Sequence, residues 1–286
     1  MSSNRIPDTL VDTHCHLNFE ALYDDADAVI QRARKKGVGI IVVPGSDVAT
    51  SKKAIELTTR YEDIYAAVGI HPHHIYEYHG SDKPLDEQLE HDLALIEELL
   101  SNARVVAVGE VGIDRYYYRD TKYAKYMVDE TFVELQKKAL GKQMGFALTY
   151  GKSLILHNRL AVDDIISVLT DQWDEKLSSK TVFHCCEADE TLLAFATAKQ
   201  IYLGVDGDST WSKKKQRFIK QVPLERLVLE TDSPYLTPEP ARETQKFPNE
   251  PAHLVYVRDM VAQIKGLRPE EVAKQTSENA RTLFTI

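Results

Sequence analysis

Eight short β-branched runs, each followed by a segment of helical period, predict an α/β protein built as a (β/α)8 TIM barrel. Two further observations favour one closed barrel over a two-domain open sheet. The 286 residues hold no linker, low-complexity segment or short repeat, and the side chains that can carry chemistry recur where strands are expected to end. One domain spanning residues 1–286 is the expected organisation.

The expected strands are Thr9–Thr13, Val38–Val43, Ile64–Gly69, Arg104–Gly109, Ser153–His157, Thr181–His184, Ile201–Gly204 and Leu227–Glu230. Between the first two, Leu22, Ala26, Val29, Ile30 and Ala33 recur on one helix face, closed by Lys35, Lys36 and Gly37. Helical patterns follow at about 51–60, 85–100, 126–148, 162–169 and 190–198. A polar stretch around Trp211–Lys215 reads as a short helix on a long loop, and helices near 251–265 and 269–284 complete the outer layer.

Composition sets limits without naming a chemistry. With 43% hydrophobic and 28% charged residues the chain has ordinary globular usage, which excludes a disordered or fibrous reading. Its net charge of −9 argues against a protein that coats DNA through a broad basic field, although a metal-filled pocket can hold a phosphodiester locally. Cys15, Cys185 and Cys186 are too few for a disulfide framework. No stretch approaches the roughly 18 apolar residues that cross a bilayer, and the first ten residues lack the apolar core of a signal peptide. A soluble, cytoplasmic protein with no membrane and no obligate protein partner is the expectation.

Asp12-Thr13-His14-Cys15-His16 closes the first strand. Alternation along a strand turns His14 and His16 the same way and Cys15 the other. Glu110 ends the fourth strand, His157 the fifth and His184 the sixth, and Asp232 lies just past the eighth. In a closed barrel these strand ends reach one central basin. Two divalent ions bridged by a carboxylate fit such a basin. Glu110 comes from a strand roughly opposite the histidine pair and is the natural bridge, with His14, His16 and Asp232 on one ion and His157 and His184 on the other. Imidazole with carboxylate suits Zn, Mn, Fe or Co, and added Mg can replace a lost ion and support activity. Such ions make water nucleophilic near neutral pH and stabilise both oxygens of a phosphoryl displacement. Asp232 is placed to orient that water, which makes Asp232 and Glu110 the candidate catalytic residues.

The sequence resembles the TatD family of metal-dependent deoxyribonucleases. The resemblance rests on Val11-Asp12-Thr13-His14-Cys15-His16-Leu17, Gly69-Ile70-His71-Pro72-His73, Gly109-Glu110-Val111-Gly112-Ile113-Asp114, Leu156-His157-Asn158-Arg159, Phe183-His184-Cys185 and Glu230-Thr231-Asp232-Ser233-Pro234-Tyr235-Leu236. Asn249-Glu250-Pro251 and Asn279-Ala280-Arg281-Thr282-Leu283-Phe284 match late in the chain, so nearly all of it is covered. The resemblance implies the same barrel, two or three divalent cations, hydrolysis of DNA phosphodiesters with 3′-to-5′ exonuclease or abasic-site activity, and metal ligands at His14, His16, Glu110, His157, His184 and Asp232. The chain departs from the family at Cys186-Glu187-Ala188-Asp189 on the pocket lip, at Arg242–Phe247 in place of a compact basic stretch, and at Arg115, where an aromatic is common.

Weaker signals surround this core. His71 is read as a basin residue touching phosphate or a third metal, while His74 and His79 are read as solvated loop residues. Arg159, two past a ligand candidate, can grip phosphate with both arms. Tyr116-Tyr117-Tyr118 can stack on bases or pack against the next helix, with Tyr116 taken as the substrate contact. Lys213, Lys214 and Lys215 beside Trp211 form either a locally basic rim or a wet helix face. Cys185 is expected to turn away from the basin and pack. Lys152 precedes the fifth strand and is poorly placed to bridge metals as a carbamate. The alternatives to a nuclease are a hydrolase of a small amide, lactone or phosphoester, or of a nucleic-acid ester such as aminoacylated RNA, and a barrel that only binds a partner.

Overall fold

The computed structural model describes residues 9–76, 84–118 and 128–286. Eight parallel strands pair in chain order: β1 (Leu10–Asp12), β2 (Val38–Pro44), β3 (Ile64–Val68), β4 (Val105–Asp114), β5 (Ser153–Arg159), β6 (Thr181–Phe183), β7 (Tyr202–Val205) and β8 (Leu227–Leu229). The last strand returns to the first through backbone bonds. Thr13 N donates to Leu229 O at 3.0 Å, Asp232 N to His14 O at 2.9 Å and His16 N to Ser233 O at 2.7 Å. With that seam the sheet forms the expected (β/α)8 barrel.

The helices are α1 (Glu20–Tyr23), α2 (Ala26–Lys35), α3 (Val48–Arg60), α4 (Pro72–Tyr76), α5 (Leu85–Leu99), α6 (Glu130–Tyr150), α7 (Val162–Gln172), α8 (Glu190–Lys199), α9 (Lys213–Gln221), α10 (Ala241–Thr244), α11 (Leu254–Lys265) and α12 (Pro269–Phe284). Side-chain caps start several of them. The Asp129 carboxylate accepts from Phe132 N for α6 and that of Asp189 from Leu192 N for α8, and Gly151 closes α6 at φ +64°. The stretch at Trp211–Lys215 follows a single turn, Gly207–Thr210, and runs through the Ser212 cap into the start of α9. The expected helix at 126–148 begins later, at Glu130; residues 126 and 127 lie outside the described residues.

Period-two alternation splits the core in two. Leu10, Ile41, Val43, Ala66, Val68, Leu154, Leu203 and Leu229 face the helix layer, whereas Val11, Val42, Ala67, Ala107, Ile155, Val182, Tyr202 and Val228 fill the barrel. The end of α12 packs into the inner cluster with Leu283 and Phe284, and Ser153 Oγ donates to Leu283 O. Such fully buried aliphatic side chains each contribute roughly 1.5–3 kcal/mol on leaving water. This dry inner layer is the platform beneath the polar basin.

Candidate metal centre

Several inner-layer residues point along their strands to a basin residue two or four positions on, whereas His14 and His16 follow the end of β1 at Asp12. Ile155 leads to His157 and Arg159, Val182 to His184, Val228 to Glu230 and Asp232, Ala67 to His71 and Tyr202 to Asp206. β4 needs a shift in register between Val108 and Val111 to bring Glu110 inward, then runs five residues past its expected end to Asp114. Gly112 makes that path possible: its φ is +154°, and a Cβ there would collide with the carbonyl oxygen of His157. Gly204 plays the same part across the basin, since any side chain would meet the Glu230 carboxylate.

All six ligand candidates converge. His14 Nε2 and His16 Nε2 lie 3.2 Å apart, Glu110 Oε2 lies 3.3 Å and 3.5 Å from them, and Asp232 Oδ1 lies 3.6 Å from each. Ligands about 2.0–2.1 Å from a tetrahedral ion sit roughly 3.3–3.4 Å from one another, so the spacing fits one. The second carboxylate oxygen, Glu110 Oε1, lies 2.7 Å from His184 Nε2 and 2.9 Å from His157 Nδ1, and these two nitrogens are 3.1 Å apart. The two oxygens of one carboxylate therefore face different donors, Oε2 the His14 and His16 pair and Oε1 the His157 and His184 pair. His14, His16 and Asp232 come together as expected from the sequence, whereas His184 lies close to both His157 and His14, and His157 also groups with His71 and Glu110.

Carboxylates outside the two sets surround the histidines, and one of them holds His157. Asp114 Oδ2 accepts from His157 Nε2 at 2.8 Å, leaving Nδ1 facing Glu110. Glu230 Oε1 lies 3.6 Å from His184 Nδ1, and Oε2 accepts from Thr13 Oγ1. Asp12 accepts from Thr231 N, Thr231 Oγ1 and His14 N. Asp114, Glu230 and Asp12 were not singled out in the sequence. Asp114 was detectable, because it shares the alternating face of Glu110 four residues on.

Among the protein groups alone the charges interlock. Burial would raise the Glu110 carboxyl, but the imidazoles of His184, His71 and His14 outweigh it and hold it well below the usual range. Burial pulls His157 down, yet its hydrogen bonds to Asp114 and Glu110 carry it up to about 9. Burial depresses His71 to about 3 and raises Asp12 to about 8. Asp232 is pushed well up by burial and by Glu110, against the opposing pull of His184. A dense donor set that holds its protons so unevenly is suited to exchanging some of them for cations.

A cavity of about 1260 Å³ opens over this floor. His71 reaches it, with Nε2 3.4 Å from Glu110 Oε1. Arg159 lines it; its guanidinium lies 3.8 Å above the Tyr116 ring and donates to the Tyr118 hydroxyl at 2.8 Å. Tyr116 thus sits behind Arg159, while Tyr118 is the tyrosine on the cavity wall, donating to Asp114 Oδ2 at 3.0 Å.

Three expectations are corrected. Cys185 does not turn away: β6 ends at Phe183 and Cys185 takes φ +42°, so alternation no longer applies, and the residue lines the cavity within ligand range of Asp206 and Asp208. Lys215 is not on a wet face; it is buried with Nζ 3.1 Å from Asp208 Oδ2 and 3.6 Å from Asp206 Oδ2, whereas Lys213 and Lys214 are exposed. His74 is half-buried on α4 with Nδ1 3.5 Å from Asp47 Oδ2, and is not a solvated loop residue. His79 lies outside the described residues. Of the departures from the family pattern, Glu187 ties the lip by accepting from Asn158 Nδ2 and Leu160 N, and Arg115 is held by Glu130 and Asp164.

A barrel that gathers imidazoles and carboxylates at the C-terminal ends of its strands in two facing sets has the makings of a metal-dependent hydrolase. The family model described as TatD related DNase matches residues 11–285, and the chain belongs to that family of metal-dependent hydrolases. It is similar to the metal-dependent hydrolase YabD of Bacillus subtilis, at 34% identity over 97% of this chain and 99% of the relative. It is 29% identical to the 3′-5′ ssDNA/RNA exonuclease TatD of Erwinia tasmaniensis over 97% of this chain and all of that one. Among solved structures it resembles the TatD homologue YJJV of Escherichia coli, with a TM-score of 0.82 and 28% identity over 97% of this chain and 98% of the other. Among the described residues no helix is long and apolar enough to cross a membrane.

Proposed function

We propose that the protein hydrolyses DNA phosphodiester bonds, removing nucleotides from the 3′ end of single-stranded or frayed strands. The observation that carries this reading is Glu110, whose two oxygens face two separate sets of ligand atoms, the arrangement needed at a phosphoryl centre that gains one oxygen as it loses another. The named activity of the Erwinia relative supports the choice of substrate.

His14, His16 and Asp232 would hold one divalent ion, His157 and His184 a second, and Glu110 both. The nitrogen-rich set suits Zn, Mn, Fe or Co, with Mg able to support activity. When bound, such ions polarise phosphoryl oxygens and acidify water. The protein's own groups supply the rest. Asp232 orients the attacking water from the rim of the floor. Arg159, held by Tyr116 and Tyr118, presents its remaining N–H groups to a phosphate. Phe19, Tyr118 and Tyr235 line the cavity and offer faces to an unpaired base, which a paired base inside a duplex cannot reach. The net charge of −9 supplies no broad field to hold duplex DNA, which favours an end that enters the cavity over a strand that lies across it.

End-labelled single strands with Mg or Mn are expected to shorten stepwise, blunt duplexes to react more slowly, and chelator to stop both. Equal rates on covalently closed circular and linear single strands would refute the exonuclease reading. Inertness toward every DNA, with turnover of an amide, lactone or aminoacylated RNA, would move the assignment to that chemistry.

A further inference from the structure

We propose that His71 is a hydrogen-bond donor to a phosphoryl oxygen in the basin and not a ligand to a metal ion. The inference rests on the phosphoesterase reading above and settles the part played by a residue that position alone leaves open. His71 Nε2 lies 3.4 Å from Glu110 Oε1, and its ring centroid is 4.4 Å from that of His157, so it stands among the ligand candidates. His71, Glu110 and His157 have ligand atoms close enough together to hold a cation.

The backbone decides between the two roles. His71 immediately precedes α4, and the His73 backbone N–H donates to His71 Nδ1 at 3.1 Å. That N–H lies in the first turn, where no intrahelical acceptor exists, and Pro72 ahead of it has no N–H, so the His71 ring serves as the cap. A neutral imidazole has one nitrogen with a lone pair and one with a hydrogen. Accepting at Nδ1 places the hydrogen on Nε2, the atom that faces the basin, and a nitrogen bearing hydrogen has no lone pair for a metal.

His157 is the opposite case. Its Nε2 faces Asp114 Oδ2 at 2.8 Å, and an ionised carboxylate only accepts, so a hydrogen stays on Nε2, and the proton a bound cation would displace is the one on Nδ1, which faces Glu110 and His184. With metal bound, the two neighbouring rings thus present different chemistry to one floor, a lone pair from His157 and an N–H from His71. The 3.4 Å from His71 Nε2 to Glu110 is longer than a well-made N–H to O bond. A charged phosphoryl oxygen is the better acceptor for that hydrogen.

The test uses metal-loaded full-length protein, with inorganic phosphate as the probe, mass-spectrometric metal counting and thermal melts. His71→Ala is expected to keep the wild-type metal count and bind phosphate about tenfold to a hundredfold more weakly, the effect of one hydrogen bond to a charged group. His71→Gln, whose amide nitrogen reaches the place of Nε2, is expected to recover most of that affinity. His157→Ala should lower the metal count and serves as the contrast. Loss of an ion in His71→Ala makes His71 a ligand and overturns the proposal. So does unchanged phosphate affinity in His71→Ala, failure of His71→Gln to recover it, or a metal-loaded wild type that binds no phosphate. Because phosphate is the probe, a wild type that binds it but cuts no DNA removes the nuclease reading and leaves the His71 result to be judged separately.

Discussion

Replacing Glu110 by Ala removes the one side chain that faces both donor sets, with Oε2 3.3 Å from His14 and Oε1 2.7 Å from His184. Residues that merely orient a metal ligand typically account for 10–100-fold in affinity or activity. A carboxylate serving two ions directly should reach at least the upper end of that range for each. Roughly 10²-fold per ion is about 3 kcal/mol at 1.4 kcal/mol per tenfold. The charge balance points the same way, since Asp232 would be left as the only proposed carboxylate ligand to two dications. Turnover is expected to fall on the order of 10²-fold or more. Metal per chain after gel filtration, turnover with saturating Mn, and circular dichroism would be measured on Glu110→Ala and on the near-isosteric Glu110→Gln. The inner layer from Val11 to Val228 lies below Glu110 and should remain intact. A folded Glu110→Ala protein that kept its metal and near wild-type turnover would show that the two sets do not share a bridge.

Protein stripped of metal should lose stability as pH rises from about 6.5 to 9. His157, carried up to about 9 by Asp114 and Glu110, and Asp12, raised to about 8 by burial, both bind protons more tightly folded than unfolded. Their contributions are fully present below the unfolded values and fade as pH passes the folded ones, with His157 alone worth about 3 kcal/mol across the interval. Thermal melts in chelator that stayed level or rose over this range would contradict that sign. Lys215→Met should destabilise the fold by roughly 3–5 kcal/mol in urea titration, because Asp206 and Asp208 would lose the ammonium between them. Adding Asp206→Asn and Asp208→Asn should return part of the loss, and a neutral effect of Lys215→Met alone would mean that the ion pair carries no weight.

The barrel and the six converging side chains were legible because two simple periods carry them. Alternation along short β-branched runs placed His157, His184 and Asp232 at strand ends, and the fixed order of strands placed those ends around one basin. Where backbone geometry departs from those periods the sequence was silent. The register shift before Val111 carried β4 on to Asp114, and the left-handed turn at Cys185 reversed the side that alternation assigned. Lys215 was misread for a different reason. A lysine triplet carries no information about Asp206 and Asp208 seven or more residues earlier, and only the fold of Gly207–Thr210 against α9 brings them together.

The seam between β8 and β1 has a consequence for how the protein comes into being. Asp232 N reaches His14 O and His16 N reaches Ser233 O, so the backbone bonds that close the sheet lie next to the side chains of the site. During synthesis, His14, His16, Glu110, His157 and His184 all emerge before Asp232, but the edge of the first strand has no partner until the eighth has left the ribosome. A growing chain cannot complete the seam, so the basin forms only in a polypeptide that has been made past Ser233. Activity is thereby withheld from every fragment of the chain that stops short of Ser233, however many of the other site residues it already carries.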